Sequence, residues 1–142
     1  MKNDLRDNLV KLSLEWQNCY GVAPHVTSAI SEYDAAMLVG MKEEDYSLYM
    51  QDKTAVTKGC DFIYNKKRYQ VKANRPSGKP GSKVTLVAKA SNYDWDYLIW
   101  ILYNKEYIIQ ESWIWERGDY IKEFDAKKRI SPQDYRKGKK IE

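Results

Sequence analysis

Four side chains in this sequence have the types and spacing to act together on a charged group: Glu32, Asp61, Gln70 and Lys72. Three of them lie between Gly59 and Arg75, where two β-prone runs rich in Phe, Ile, Tyr and Val flank the polar pair Asn65-Lys66. That pattern predicts a β-hairpin. A two-residue loop pairs Tyr64 with Lys67, Ile63 with Arg68, Phe62 with Tyr69 and Asp61 with Gln70. Directly paired side chains share one face of a sheet, and the period of two brings Lys72 to the face of Asp61 and Gln70. Cys60, Phe62, Tyr64, Tyr69 and Val71 fall on the other, which is apolar. A three-residue loop scatters that apolar set, so the pattern selects the shorter one. The polar face then offers oxygen donors for a hard divalent cation beside an ammonium that stabilises an anion.

Glu32 must reach this group from a helix. Thr27 or Ser28 caps a segment that runs to Gly40, a suitable residue for the position after the C-cap. Glu32, Ala35, Ala36 and Val39 stand at i, i+3, i+4 and i+7, so Glu32 shares a face with small and apolar side chains. Alanines let a helix lie close to a sheet, and a carboxylate buried there needs a cation or a metal to offset its desolvation. The plainer alternative is a first-turn Glu interacting with the helix dipole.

An Asp at the end of one strand, followed on the next by Gln-x-Lys, resembles the core of the PD-(D/E)XK nucleases, in the variant where Gln70 replaces the usual acid. The resemblance runs from about Ser31 to about Trp113 and includes Glu32-Tyr33-Asp34-Ala35-Ala36 on the preceding helix. It implies an α/β (α+β) fold of restriction-endonuclease-like type, a central mixed β-sheet flanked by helices. It implies a metal-dependent endonuclease hydrolysing phosphodiester bonds in DNA, of the restriction or homing type. Asp61 is then the principal ligand of Mg²⁺, with Mn²⁺ able to substitute. Glu32 holds the ion directly or through a water, the Val71 carbonyl and Gln70 contribute oxygens, and Lys72 orients the attacking water, stabilises hydroxide or contacts the scissile phosphate. A chain of this size needs two copies to cut two strands, which implies a homodimer or higher homo-oligomer. Gln70 removes one negative charge, and that departure favours the alternative, a nuclease-fold nucleic-acid-binding protein with weak or no catalysis. A purely protein-interacting role is a further alternative.

At 142 residues the chain accommodates one core, expected as a single domain over 1–142. A hydrophobic content of 43%, with five Trp and twelve Tyr, excludes a disordered chain. Met1–Val10 is charged, and the longest apolar or aromatic run, Tyr97–Tyr103, is too short to span a bilayer; the expected location is cytoplasmic, away from membranes. Cys19 and Cys60 stand far apart beside a single His, which supports neither zinc nor disulfides, and both are expected as small buried hydrophobes. The net charge of +4 is modest, yet residues 62–93 hold no carboxylate and eight basic residues. Glu32, Asp34, Glu43, Glu44, Asp45 and Asp52 gather upstream around Lys42. Such segregation suits a polyanion-binding face beside a carboxylate site, with Arg75, Lys79, Lys83, Lys66 and Lys67 as the expected DNA contacts; a solvated charge run is the plainer reading.

The remaining elements support this centre. Leu5, Leu9, Leu12 and Trp16 form one stripe of an amphipathic helix over about 3–18, capped by Asn3 or Asp4 and ended by Gly21 and Pro24. His25 reads as a loop histidine, and Met41–Lys53 as connecting structure, a short helix or an ordered loop. Ala55–Tyr64 and Lys67–Asn74 are the hairpin strands. Residues 75–83, rich in Pro and Gly, form a basic loop that does not match the nucleotide-binding phosphate loop. Val84–Val87 extends a strand edge. Tyr97–Tyr103 is apolar at both parities and so is expected as a central strand, paired through a turn at Asn104-Lys105 with Glu106–Trp115. Trp95, Trp100, Trp113 and Trp115 read as core, a Trp at the sheet edge being able to stack on a base. Gly118–Lys128 is helical or irregular. Ser131 and Pro132 start a short helix, followed by a basic tail at about 131–142 that is expected to add phosphate contacts.

Overall fold

The computed structural model describes residues 4–53, 59–77, 79 and 81–141. Five strands form one mixed sheet in the order β1 (Phe62–Tyr64), β2 (Lys67–Asn74), β3 (Tyr97–Tyr103), β4 (Ile109–Glu116), β5 (Lys139–Lys140). β2 and β3 are parallel and the other neighbours antiparallel. Helices α1 (Asp4–Tyr20), α2 (Thr27–Leu38) and α3 (Glu43–Asp52) precede the sheet, and α4 (Arg117–Phe124) and α5 (Pro132–Tyr135) belong to its second half. The chain is therefore mixed α and β, a mixed sheet flanked by helices. Among the described residues no helix is long and apolar enough to cross a membrane.

β3 lies at the centre because both of its faces are apolar. Ile99 and Ile101 enter a core with Phe62, Tyr69, Val71 and the Ala35-Ala36 pair of α2. Leu98 and Trp100 enter a second core on the opposite face, with Trp95, Trp115, Tyr120, Phe124 and Tyr135. The hairpin closes with Asn65 and Lys66 at φ 50° and 65°, left-handed at both loop positions as a two-residue turn requires. Its register is Phe62 with Tyr69, Ile63 with Arg68 and Tyr64 with Lys67.

Several elements differ from the sequence reading. The first strand starts at Phe62; residues 55–58 of its expected span, like the candidate cap Asn3, lie outside the described residues. Val26, not Thr27 or Ser28, occupies the N-cap of α2, because the Thr27 hydroxyl shares a hydrogen bond of 2.8 Å with Tyr107. Met41–Lys53 contains α3. Of Val84–Val87 only Val87 pairs, in an isolated bridge with Ile130. The return strand starts at Ile109 because the Asn104 side chain accepts from the N–H groups of Glu106 and Ile108, both at 2.9 Å, and holds a longer turn. The basic tail is tied down as β5, and its Arg136 forks onto both oxygens of Glu111 at 2.6 and 2.8 Å. Cys60 is buried as expected, whereas Cys19 is exposed.

The largest departure is the rotation of α1. Its buried residues are Val10 and Ser13, while Leu5, Leu12 and Trp16 of the expected stripe face outward. Arg6 sets this orientation: its guanidinium donates to both oxygens of Asp34 at 3.0 and 2.9 Å and to the Tyr107 carbonyl at 2.8 Å. Tyr103 donates to Asp34 from β3 at 2.6 Å. A buried carboxylate must be satisfied, and meeting that demand turns the apolar stripe away from the core.

Candidate active site

Asp61 stands where the hairpin ladder slips. Phe62 pairs with Tyr69, yet the Asp61 N–H also donates to the Tyr69 carbonyl at 2.7 Å, so two residues of one strand face one of the other, as in a β-bulge. The slip reverses the alternation upstream. Cys60 consequently packs in the core beneath Trp95 and Leu98, not with Phe62 and Tyr69 as strict pairing predicts. Asp61 is likewise not opposite Gln70: its Oδ2 accepts from the Val71 N–H at 2.7 Å, filling the place of the next ladder bond. Among the described residues β1 pairs only with Lys67–Tyr69, so β2 has no strand on that side beyond this point. Because N–H and C=O of a strand residue point the same way, the Val71 carbonyl is directed to the edge occupied by Asp61.

The approach to Asp61 depends on Gly59, which has φ +81°. A Cβ there would lie 2.3 Å from Asp94 Cβ and 2.9 Å from Asp94 Oδ2. Gly59→Ala therefore adds left-handed strain to a collision and is expected to cost about 2–4 kcal/mol, read as a lower urea midpoint. An unchanged midpoint would show that this bend is not fixed.

Glu32 reaches the same edge from α2. Burial, and next the negative charge of Asp61, push its carboxyl up to about 7, with Lys53 opposing. Asp61 is also raised, by burial, against the Val71 N–H and the charges of Lys53 and Lys72. The charge of Asp61 therefore reaches Glu32 in a partly dehydrated place where Lys53 and Lys72 offset only part of the cost of burial. Lys53, which follows α3, donates to the Asp61 carbonyl at 2.9 Å. Burial, with the charges of Glu32 and Asp61 adding to it, raises the hydroxyl of Tyr46; for Tyr49 the order is burial, Cys60, Asp61 and Glu32. The Tyr49 oxygen is buried without a hydrogen-bond partner among the described residues. Sequence reasoning passed over Lys53, Tyr46 and Tyr49, although Tyr46 and Tyr49 stand three apart on one face of α3 and Lys53 directly follows it.

Gln70 and Lys72 share a face, as the hairpin parity predicts. The parallel register sets Gln70 beside Leu98 and Lys72 beside Trp100, on the side of the sheet opposite α2. Glu32 thus comes to this edge from the α2 side, and Lys72 stands on the opposite face, near enough for its charge to act on Asp61.

The donor set fits one hard divalent cation. Among the described residues no group of three or more His, Cys, Asp or Glu is assembled, so any ion here rests on two carboxylates with neutral oxygens completing its shell. Mg²⁺ keeps several waters and accepts such a site. Glu32, Asp61 and the Val71 carbonyl suit it best; Gln70, on the other face, fits less directly.

The basic residues divide into free and engaged groups. Lys66 and Lys67 are exposed at the hairpin tip, and Lys79 and Lys83 beyond the far end of β2. β2, about 23 Å long, runs from the hairpin tip to the start of the loop that carries Lys79 and Lys83. Arg75 is engaged internally: it donates to the Gln17 Oε1 and Lys105 carbonyl, both at 2.8 Å, and its guanidinium carbon lies 4.6 Å from the Tyr107 ring centre. Lys89 caps the Asp125 and Lys127 carbonyls. Compared with models of protein families and with curated proteins, the sequence matches none.

Proposed function

We propose that this chain is a metal-dependent endonuclease that hydrolyses phosphodiester bonds in DNA, of PD-(D/E)XK type, acting in the cytoplasm as a homodimer or higher oligomer. The observation that carries the reading is the pairing of Glu32 with an Asp61 carboxylate anchored on the Val71 N–H, at an open sheet edge flanked by Lys53 and Lys72. Two carboxylates within reach of each other's charge in a half-buried place call for a cation. A bound Mg²⁺ supplies neutralisation of phosphoryl charge and acidification of water. Asp61 and Glu32 hold it, the Val71 N–H fixes the Asp61 rotamer, and Lys72 stabilises charge on the scissile phosphate or orients the attacking water. Lys79 and Lys83, on the loop leaving β2, grip the backbone without reading sequence. The neutral Gln70, on the face opposite α2, favours a second reading in which the protein binds DNA and cuts it poorly.

A cleavage assay on a DNA library of diverse sequence separates these readings. Cutting that requires Mg²⁺ or Mn²⁺ and stops with chelator is the expected result; DNA retained but left intact with both metals would favour binding alone. Replacing Lys79 and Lys83 by Ala is expected to flatten the slope of log affinity against log salt by about 2, equally for all sequences. An unchanged slope would make this loop a linker.

The raised Glu32 carboxyl also gives a pH signature. Below its ordinary value of 4.5 both the folded and the unfolded chain hold the proton, and Glu32 does not affect stability. Between 4.5 and about 7 only the folded chain retains it, so stability falls as pH rises through this window and the full penalty stands above it. A cation relieves that penalty only where the carboxylate is charged. Mg²⁺ is therefore expected to raise the Tm clearly at about pH 8 and little at about pH 5.5 in scanning calorimetry. Equal shifts at both would place the ion elsewhere.

A further inference from the structure

Lys53 stands beside two carboxylates and bonds to neither. Its ammonium donates to the Asp61 carbonyl at 2.9 Å, and among the described residues this is its only hydrogen bond and it forms no ion pair. An ammonium carries three protons, so two are left to donate. A lysine placed solely to neutralise a buried acid takes that acid's oxygens as its partners. Here the Asp61 carbonyl holds the charge within reach of both Asp61 and Glu32, while the carboxylate oxygens stay available to another ligand. The Tyr49 hydroxyl, one turn earlier on α3, is a further donor without a partner among the described residues. Lys53 follows α3, which packs on α2 and β1, whereas Lys72 stands on the face opposite α2. The two ammonium groups therefore flank the open edge of β2 from opposite sides.

We infer that Lys53 is a second phosphate-binding ammonium of this centre, donating to a non-bridging oxygen of the scissile phosphate. The inference rests on the nuclease reading and adds to it a residue from the helix side of the sheet. Two unspent protons on a fixed cation suit an oxyanion, and a phosphate oxygen accepts a charge-assisted bond that the carboxylates, turned to an ion, do not. Lys53 and Lys72 then hold the phosphate from either side of an edge that no strand covers among the described residues. The same ammonium repels a divalent ion held by Asp61 and Glu32, because like charges close together in a half-buried place are poorly screened. Lys53 therefore weakens ion binding and speeds turnover. A lysine that merely supported Asp61 would favour both, and one that merely paired with Glu32 would leave turnover at saturating metal untouched.

Two variants of the full chain test it. Lys53→Met removes the charge and keeps an apolar stem; Lys53→Gln removes the charge and keeps a donor for the Asp61 carbonyl, so the local contact survives in at least one of them. Urea midpoints verify that both are folded. Calorimetric titration of Mn²⁺ near pH 8 and single-turnover cleavage of a DNA library of diverse sequence at saturating Mn²⁺ are then read side by side. Both variants are expected to bind Mn²⁺ about tenfold more tightly and to cut about a hundredfold more slowly. Lys53→Arg, which keeps the charge and suits phosphate, is expected to recover the wild-type ion affinity and most of the rate. Where the wild type binds Mn²⁺ and cuts, an ion affinity that is unchanged or weaker in the neutral variants, or an unchanged rate, overturns this inference and leaves the nuclease reading standing. A wild-type chain that takes up no ion, or takes it up and leaves the DNA intact, overturns both.

Discussion

Asp61→Asn is expected to lower DNA cleavage by at least about a thousandfold, because a metal centre contributes several kcal/mol of transition-state stabilisation and about 4 kcal/mol corresponds to that factor. The fold is expected to survive, since an Asn amide oxygen still accepts from the Val71 N–H that Asp61 Oδ2 now binds at 2.7 Å. Stability should even rise slightly in the absence of metal. Burial raises the Asp61 carboxyl, so the folded chain holds its charged form at a disadvantage above the ordinary carboxylate range, and the substitution removes that disadvantage. Cleavage lost with stability kept is the signature of a functional carboxylate. Cleavage retained would move the metal away from Asp61, and cleavage lost through unfolding would make the residue structural. Lys72→Ala provides the companion test: its loss should depress turnover more than metal affinity, because its ammonium acts on phosphate or water and not on the ion.

Asp34→Ala is expected to have the largest effect on stability, about 3–5 kcal/mol, the usual cost of stripping one partner from a buried ion pair. Asp34 is 8% exposed and serves Arg6 through two bonds and Tyr103 through a third. Without it the guanidinium retains the Tyr107 carbonyl and the exposed Asp7, a poor replacement at the base of α1. Chemical denaturation reads the loss as a lower midpoint, and a change below about 1 kcal/mol would show that α1 is held by its apolar contacts instead. The same substitution tests what turns the stripe outward, because loosening Arg6 frees α1 to rotate Leu5 and Leu12 toward the core.

Much of the fold was legible in the residues because it depends on local alternation. Tyr97–Tyr103 is apolar at both parities and lies centrally; Asn65-Lys66 forms the hairpin turn; Ser131, Pro132 and Asp134 build the expected cap of a short helix. The displacement of Asp61 was hidden, because one extra residue in a ladder reverses parity without changing composition. The direction of α1 was hidden for another reason. Periodicity identifies an apolar stripe, but Arg6 finds Asp34 and Tyr107 across 28 and 101 positions, and such partners leave no mark on helical spacing. Arg75 shows the same limit, since the Lys105 carbonyl that captures it is a backbone group no side-chain pattern announces. Glu32 was legible through Ala35 and Ala36, which bring α2 close to the sheet and carry the carboxylate to its edge.

The central claim is that Glu32 and Asp61 jointly hold one divalent ion, and calorimetric titration of Mn²⁺ into the purified chain near pH 8 addresses it directly. One ion per chain is expected, with affinity falling at least about tenfold in Glu32→Gln and further in Asp61→Asn, as loss of a charged ligand requires. Binding that neither substitution weakens, or a wild-type chain that takes up no ion, would contradict it.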